Sequence, residues 1–206
     1  METGFSNLFI RLIMLFYFWM HFGKRMVERL TKTEFRQIVT WAYSLRSSCD
    51  RLHTATTLWT AEPEHRLLSA GYNGAPSGLP SCDETGHLII DGHCVRSNHG
   101  EDNALLQCRD FDRLKGGIAT ILGTPCYNCA RKLISAGVGR IEHIGAYYNG
   151  PGSENIFVLF QQVKGLSWCN IKIETLACTV QKAMKFSSQL PGGICGNFTQ
   201  LCSLVL

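Results

Sequence analysis

The strings His99-Gly100-Glu101 and Pro125-Cys126-Tyr127-Asn128-Cys129 decide both the architecture and the chemistry of this chain. A catalytic zinc ion takes three protein ligands from cysteine and histidine and keeps a fourth position open. His99, Cys126 and Cys129 form such a ligand set, and Glu101 adds a carboxylate that can move protons without binding the metal. Because Cys126 and Cys129 are three residues apart, a helix places both thiols on one face.

Residues typical of helix N-termini stand in or beside both strings. Pro125 favours the first turn of a helix over residues 126–136, and Asn98 is a good N-cap for a helix over residues 99–110. Two helix N-termini are therefore expected to converge on the metal, where their dipoles favour thiolate over thiol. A structural zinc knuckle or a redox pair, with His99 unrelated, is the alternative that an isolated C-x-x-C leaves open.

The bulk composition fits one domain with extensions. The chain has 206 residues, of which 45% are hydrophobic and 17% charged. Its net charge of +4 is compatible with an anionic small molecule or with nucleic acid and selects neither. The ten cysteines are irregularly spaced in a chain too long to need disulfide staples, so we expect a reducing, cytoplasmic setting.

The pattern of elements predicts an α/β layered sheet. Thr31 and Glu34 resemble a capping box, and apolar residues at helical spacing follow them to about Arg46. Strands are predicted over residues 55–61, 66–72, 117–122, 140–146 and 170–176, with another helix over 155–164 and a long polar loop over 73–97. Strands that alternate with helices favour one layered domain.

We assign the core domain to residues 31–176 and treat both ends as extensions. Residues 1–30 contain the apolar run Leu8–Phe22, which is interrupted by Arg11 and is shorter than the roughly 20 residues that span a bilayer. A membrane-tethered form is the alternative. Residues 177–206 show no clear periodicity and are expected to be loop or poorly ordered.

The chain resembles the cytidine/deoxycytidylate deaminase family, and most of all the dCMP deaminases, over residues 35–176. Beyond the zinc motif, the resemblance rests on the strings Gly71-Tyr72-Asn73-Gly74-Ala75-Pro76-Ser77-Gly78, Cys82-Asp83-Glu84, His93-Cys94-Val95-Arg96 and Asn103-Ala104-Leu105-Leu106-Gln107. It implies a three-layer α/β/α cytidine-deaminase-like fold with a central mixed sheet. It also implies zinc-dependent hydrolysis of dCMP to dUMP and ammonia, which feeds dTMP synthesis, with Glu101 as the proton shuttle.

The resemblance assigns nucleotide contacts to Tyr72, Asn73, Gly74 and Ser77. Glycines allow a ligand to approach the backbone closely, and Asn and Ser offer neutral hydrogen bonds to phosphate or sugar. The alternative is a plain cluster of turns.

A second, structural zinc is also implied. Cys49 and Cys82 lie at matching places relative to the glycine-rich string, and His93 is preferred over Cys94 as the third ligand. A metal would order a long loop that has little apolar content. The alternative is free thiols.

The remaining histidine, tyrosine and basic residues are interpreted as ordinary surface, loop or core residues. His53, His65, His87 and His143 are expected to be surface or loop residues. Tyr147 and Tyr148 are expected in the core or at a rim, with base stacking as the alternative. The basic residues are scattered rather than massed: Arg109, Arg113, Lys115, Arg131, Lys132 and Arg140.

The resemblance further implies a cytoplasmic homo-oligomer that binds dCMP and responds to dCTP and dTTP, with neither nucleic acid nor membrane as a partner. One alternative is a deaminase that acts on cytosine or adenine in tRNA or single-stranded DNA. Another is a catalytically silent zinc-binding module of the same fold. The silent module is considered because Gly100 stands where the family usually has Ala, and Thr54-Ala55-Thr56 where it usually has Val-Gly-Ala.

Overall fold

The computed structural model describes residues 29–148, 158 and 160–188. Its helices are α1 (Lys32–Ser44), α2 (Cys82–Thr85), α3 (Gly100–Gln107), α4 (Phe111–Leu114), α5 (Tyr127–Ser135) and α6 (Ile173–Ser188). Its strands are β1 (Ala55–Trp59), β2 (Leu67–Tyr72), β3 (Ile89–Ile90), β4 (His93–Cys94), β5 (Ile118–Leu122), β6 (Arg140–Ile144) and β7 (Ser167–Ile171).

Contacts divide the chain into two units, each considered by itself. The first, Leu30–Ala183, holds all the strands of the described residues, and the second combines Met1–Arg29 with Met184–Leu206. Residues 1–28, residues 155–157 and 159 of the predicted helix over 155–164, and the end of the tail at 189–206 lie outside the described residues. Residues 161–164 form turns, so the predicted helix is wrong there.

A mixed five-stranded sheet forms the centre, in the order β2-β1-β5-β6-β7. β1 runs antiparallel to both β2 and β5, whereas β5, β6 and β7 are parallel. Every residue of β1 is buried, which requires helices on both faces of the sheet. α1 packs on β1 and β5, and α3 packs on β1 and β2. The predicted α/β fold with a central mixed sheet is confirmed.

Helix α1 starts as the sequence predicts. The Thr31 hydroxyl accepts a hydrogen bond from the Glu34 backbone N–H at 3.2 Å, and the Glu34 carboxylate accepts one from the Thr31 N–H at 2.7 Å. The buried side of α1 is nevertheless polar, and its buried residues are Arg36, Gln37, Thr40 and Ser44. The apolar Phe35 and Leu45, by contrast, are exposed.

A buried ion pair explains this polar face. Arg36 donates from Nε and Nη2 to the two carboxylate oxygens of Glu142 in the middle of β6, at 3.1 and 2.8 Å. Their side chains are 1% and 0% exposed. Thr120 on β5 donates a further hydrogen bond to Glu142 at 3.2 Å. A fork-shaped guanidinium matched to a carboxylate is the geometry in which a buried pair compensates for lost hydration.

The end of the fold differs from the sequence prediction. β7 occupies Ser167–Ile171, paired in parallel with β6, and the chain turns directly into α6, which continues to Ser188. The predicted strand over 170–176 is therefore shifted, and loop at 177–188 is wrong. Part of the error comes from Thr179, which is polar but buried and donates a hydrogen bond to Gln37 Oε1 at 3.3 Å. A polar residue on the buried face interrupts the apolar spacing by which a helix is recognised in a sequence. The domain limits themselves stay a prediction.

The predicted long loop over 73–97 also contains regular structure. It holds the short helix α2 and the hairpin β3–β4, in which Ile89 pairs with Cys94. Asp91 and Gly92 form the turn with φ of 48° and 77°, the left-handed values of a tight hairpin.

Within the part of the chain that the structure describes, we find no helix with the length and apolar character needed to cross a membrane. The apolar run Leu8–Phe22 lies outside that part.

We expect Arg36→Met to lower the free energy of unfolding by about 3–5 kcal/mol, because it leaves the Glu142 carboxylate buried without its main partner. Arg113→Met is the control, since Arg113 pairs with Glu64 at 2.7 Å on the surface, where both side chains are exposed. Urea unfolding followed by circular dichroism measures both, and equal losses would contradict the role given to the buried pair.

Candidate active site

Two glycines let helix α3 lie directly on the sheet. A Cβ atom at Gly71 on β2 would lie 2.3 Å from the backbone nitrogen of Ala104 and 2.4 Å from the carbonyl oxygen of Gly100. A Cβ atom at Gly100 would lie 3.2 Å from Ala55 Cα. Only residues without a side chain permit this backbone-to-backbone approach.

Asn73 fixes the first turn of α3. Its Oδ1 accepts the Gly100 N–H at 2.8 Å, and its Nδ2 donates to the Leu52 carbonyl at 3.2 Å. Asn103 Nδ2 donates back to the Tyr72 carbonyl at 2.8 Å. The end of β2 is therefore tied to the beginning of α3 at several points, which sets the position of the residues that start this helix.

His99 and Cys126 are the N-caps of α3 and α5. The two helix N-termini converge, and His99 Nδ1 lies 3.7 Å from Cys126 Sγ and 3.4 Å from Cys129 Sγ. The predicted N-cap Asn98 is wrong by one residue, and Pro125 precedes the cap of α5 instead of lying in its first turn. Asn98 and Pro125 stand just outside the helices, because the residues that bear the metal-binding groups occupy the cap positions themselves.

The spacing of these three atoms fits zinc. Tetrahedral zinc with its usual bond lengths to nitrogen and sulfur places a histidine nitrogen and a cysteine sulfur about 3.6 Å apart. The observed distances of 3.4 and 3.7 Å bracket that value. All the ligand atoms of His99, Cys126 and Cys129 lie within 4.8 Å of one another.

The electrostatics of the cluster favour a thiolate. A hydrogen bond from Cys129, together with His99, lowers the pKa of Cys126 to about 4 despite its burial. The hydrogen bond to Cys126 raises the pKa of His99 to about 9, against the opposing effect of burial. The same contact with Cys126 raises the pKa of Cys129. A divalent cation would take the place of these shared protons, since zinc ligation requires thiolates and a neutral imidazole.

Glu101 lies beside this cluster with a buried carboxylate. Its side chain lines the same cavity as His99 and Cys126, and the residue is only 4% exposed. Burial raises the pKa of Glu101 to about 6, although the nearby His99 opposes the shift. A carboxyl group with a pKa near neutrality can both accept and release a proton at cellular pH.

The cavity has a volume of about 850 Å³ and is open to solvent. Its lining includes the catalytic candidates, Asn73, and the exposed aromatic residues Tyr127, Tyr147 and Tyr148. The expectation that Tyr147 and Tyr148 lie at a rim agrees with this placement. An aromatic ring at the rim of a cavity suits stacking on a base.

The four residues predicted to contact the nucleotide are not brought together in the cavity. Among them, only Asn73 lines it. Gly74 is buried, with the Tyr72 ring 3.2 Å from where a Cβ atom would stand, and Ser77 is exposed elsewhere. Tyr72 and Gly74 instead hold the start of α3, through the Tyr72 carbonyl and the pairing of Gly74 with Asn98.

A second cluster forms around Cys49 and Cys82, both 5% exposed. The ligand atoms of Cys49, Cys82 and His87 lie within 4.8 Å of one another. Cys94 Sγ lies 3.7 Å from Cys82 Sγ, close to the separation of about 3.8 Å between two sulfurs on tetrahedral zinc. Cys49 and Cys82 therefore lie together in one cluster, as the resemblance implies.

The third ligand differs from the prediction. His93 is exposed, whereas its neighbour Cys94 faces the cluster, because successive side chains of a strand point to opposite sides. His87 takes the place expected for His93. Its Nε2 lies 2.8 Å from a carboxylate oxygen of Asp50, and its buried Nδ1 has no hydrogen-bond partner among the described residues. A histidine oriented by a carboxylate in this way is typical of a metal ligand.

Of the other histidines, only His143 departs from the surface-or-loop interpretation, since His53 is exposed and His65 lies in the loop before β2. His143 is buried on β6, where burial lowers its pKa. His65 is half-buried, and its Nδ1 lies 2.7 Å from Nη1 of Arg36. Burial, followed by the Arg36 charge, lowers the pKa of His65, which fits a neutral ring that accepts from the guanidinium.

Comparisons with known proteins agree with this geometry. ComE operon protein 2 of Bacillus subtilis is 31% identical over 132 residues, which cover 64% of this chain and 68% of that protein. A protein named deoxycytidylate deaminase from Mycobacterium phage D29 is 30% identical over 112 residues, covering 48% of this chain and 84% of that protein. A crystal structure of dCMP deaminase from the cyanophage S-TIM5, in complex with dCMP and dUMP, shares the fold. It superposes with a TM-score of 0.53 at 23% identity and covers 68% of this chain and 96% of that one.

The family model for the cytidine and deoxycytidylate deaminase zinc-binding region matches residues 34–144, a range that contains the converging helix starts and both cysteine clusters. The chain therefore belongs to the cytidine and deoxycytidylate deaminase family.

Proposed function

We propose that this protein is a zinc-dependent hydrolase that converts dCMP and water to dUMP and ammonia. The buried carboxylate of Glu101 beside the His99–Cys126–Cys129 triangle, within one open cavity, carries this proposal. The choice of dCMP is supported by curated relatives named deoxycytidylate deaminase and by a structural neighbour crystallised with dCMP and dUMP.

The donor set supports zinc as the metal. Two thiols and an imidazole at tetrahedral spacing suit zinc, and an open cavity beside them leaves room for a fourth ligand. When bound, zinc would acidify a water molecule and so make hydroxide available near neutral pH.

Glu101 would carry protons between water and substrate. It takes a proton from the water that attacks C4 of the cytosine ring and delivers it to the ring nitrogen N3. It then takes the proton of the new hydroxyl group at C4 and passes it to the amino group. The bond between C4 and this nitrogen breaks, ammonia leaves, and C4 becomes the carbonyl carbon of uracil. One carboxyl group performs both transfers because burial holds its pKa near neutrality. Tyr147 and Tyr148 would flank the base at the rim.

The polynucleotide alternative has less support. Nonspecific binding of a nucleic acid strand needs a continuous basic surface. Four of the six scattered basic residues are instead paired with carboxylates: Arg113 with Glu64, Lys115 with Asp112, Lys132 with Asp102, and Arg140 with Glu142. Regulation by dCTP and dTTP, homo-oligomer formation and a cytoplasmic setting stay predictions of the family resemblance.

We also propose a structural zinc held by Cys49, Cys82, His87 and Cys94. The support is the burial of both cysteines, the short Cys82–Cys94 distance and the unpartnered His87 Nδ1. Cys49 precedes β1, whereas the other three lie in the segment between β2 and α3. The metal would therefore fasten this segment to the chain before the sheet.

We expect ammonia release from dCMP to be far faster than from CMP, deoxycytidine or a single-stranded oligonucleotide that contains cytosine. The measurement is ammonia release and the change in ultraviolet absorbance with zinc-loaded protein. Turnover of the oligonucleotide alone would favour the polynucleotide deaminase. If the zinc-loaded protein turned over none of the four substrates, the catalytically silent module would be favoured.

We expect Glu101→Gln to keep its zinc but to lose about 100- to 10,000-fold in kcat on dCMP, because the amide cannot shuttle protons. Cys126→Ser is the matched variant, and it should lose the catalytic zinc itself. Zinc content by atomic emission is measured alongside turnover. Near-normal turnover of the glutamine variant would contradict the proton shuttle, and an undiminished zinc content in the serine variant would contradict the ligand set.

We expect His87→Ala to lower the zinc content from two ions to one per chain while the catalytic ion remains. His93→Ala is the control. His93 is exposed and lies on the side of β4 opposite to Cys94, so this variant should retain both ions. The opposite pattern would restore His93 as the ligand. A content of one ion in the unaltered protein would refute the second site.

A further inference from the structure

The ligands of the proposed catalytic zinc come from two different helices. His99 is the cap of α3, whereas Cys126 and Cys129 belong to the start of α5. α3 packs on β1 and β2, and α5 is anchored separately through Leu133, which is fully buried in the hydrophobic core. The ligand set is therefore complete only if the two helices keep a fixed position relative to each other.

One ion pair joins α3 to α5 directly. Lys132 Nζ donates a hydrogen bond to Asp102 Oδ1 at 2.7 Å. Lys132 lies on α5, and Asp102 lies on α3 directly after the proposed proton shuttle Glu101. Within the part of the chain that the structure describes, this is the one hydrogen bond between side chains of α3 and α5 beyond the caps of the two helices.

The ion pair repeats the spacing of the metal ligands. Asp102 follows His99 by three residues, and Lys132 follows Cys129 by three residues. Residues three apart on a helix are neighbours on one face. The ion pair is therefore one helical turn beyond the contact of His99 Nδ1 with Cys129 Sγ, which measures 3.4 Å. The two helices are bridged twice, once by the ligands and once by opposite charges.

Each of the two charges also suits its own helix. Asp102 lies in the first turn of α3 and Lys132 in the last turn of α5, where helix dipoles favour an anion and a cation respectively. The hydrogen bond to Asp102 raises the pKa of Lys132, and the charges of Cys129 and Cys126 add to this rise. The ammonium group is therefore within electrostatic range of both thiols.

We propose that Asp102 and Lys132 are positioning residues, which hold α3 and α5 together so that His99 faces the two cysteines before the metal binds. This inference rests on the proposed function, because it takes His99, Cys126 and Cys129 as the zinc ligands. Ordering the ligands in advance strengthens binding, since less of the binding free energy is spent on assembling the site. The two side chains are 26% and 49% exposed, so the size of the effect is that of a surface ion pair.

Titration of the zinc-loaded full chain with a chelator tests the pair. The step of zinc removal that is absent from Cys126→Ser belongs to the catalytic ion. We expect Lys132→Met to raise the dissociation constant of this ion by about 2- to 5-fold, the range for losing a surface ion pair. Asp102→Asn should have a similar effect. The double variant should show less than the product of the two single effects, because the pair can be lost only once.

Two further variants separate the ion pair from other effects of substitution. Lys132→Arg keeps the charge and should retain the zinc affinity of the unaltered protein. Lys115→Met is the matched control, because it breaks an exposed ion pair with Asp112, of 2.8 Å, that involves neither α3 nor α5. This control should leave the zinc affinity unchanged.

The outcomes distinguish this inference from the proposed function. An unchanged zinc affinity in Lys132→Met would overturn the inference and leave the ligand set standing. The same conclusion would follow if the single effects simply multiplied in the double variant. Zinc retained in full by Cys126→Ser would overturn the ligand set itself, and with it this inference.

Discussion

The close approach of α3 to strands β1 and β2 is the constraint on which the candidate site depends. A side chain at Gly71 would overlap the backbone of Ala104, so the helix could not sit where it does. With the helix in place, Asn73 caps its first N–H, His99 occupies the cap position, and Glu101 is buried two residues further on. The catalytic geometry is thus a consequence of how closely two backbones pack, rather than of contacts among the catalytic side chains.

Two departures from the family pattern lie at this same approach. Where the family usually pairs Ala before the glutamate with Gly in the first strand, this chain has Gly100 and Ala55. A methyl group at Gly100 would lie 3.2 Å from Ala55 Cα and 3.3 Å from the Thr56 nitrogen, tighter than ordinary contacts. The two differences therefore lie at one contact between the backbones of α3 and β1, and Gly100 fits the close packing that buries Glu101.

Features that depend on the spacing of neighbouring residues could be predicted from the sequence. Features that depend on which side of a strand or helix faces another part of the fold could not. Cys126 and Cys129 share a helix face at a fixed separation, and strands such as β1 and β5 are marked by β-branched and apolar residues, so both were predictable. Asp91-Gly92 is a dipeptide typical of two-residue hairpin turns, so this hairpin is predictable from the sequence as well. The choice between His87 and His93 could not be made from spacing, because it depends on which side of β4 faces Cys82. The polar face of α1 was likewise hidden, since the partner of Arg36, Glu142, lies far along the chain.

The hairpin also indicates why a second metal would matter to the first site. Its apolar side chains Ile89, Ile90 and Val95 are about half exposed, so hydrophobic burial contributes little to its position. Yet the hairpin carries Cys94 into the second cluster and presents the Gly92 carbonyl to Arg51 at the cavity. An element held so weakly by packing needs another restraint if it is to present a fixed hydrogen-bond acceptor, and metal ligation can supply the free energy for that order. A structural ion at Cys49, Cys82, His87 and Cys94 would then hold the hairpin in a fixed position. In this way it would stabilise the part of the cavity lining that contains Arg51 and Gly92.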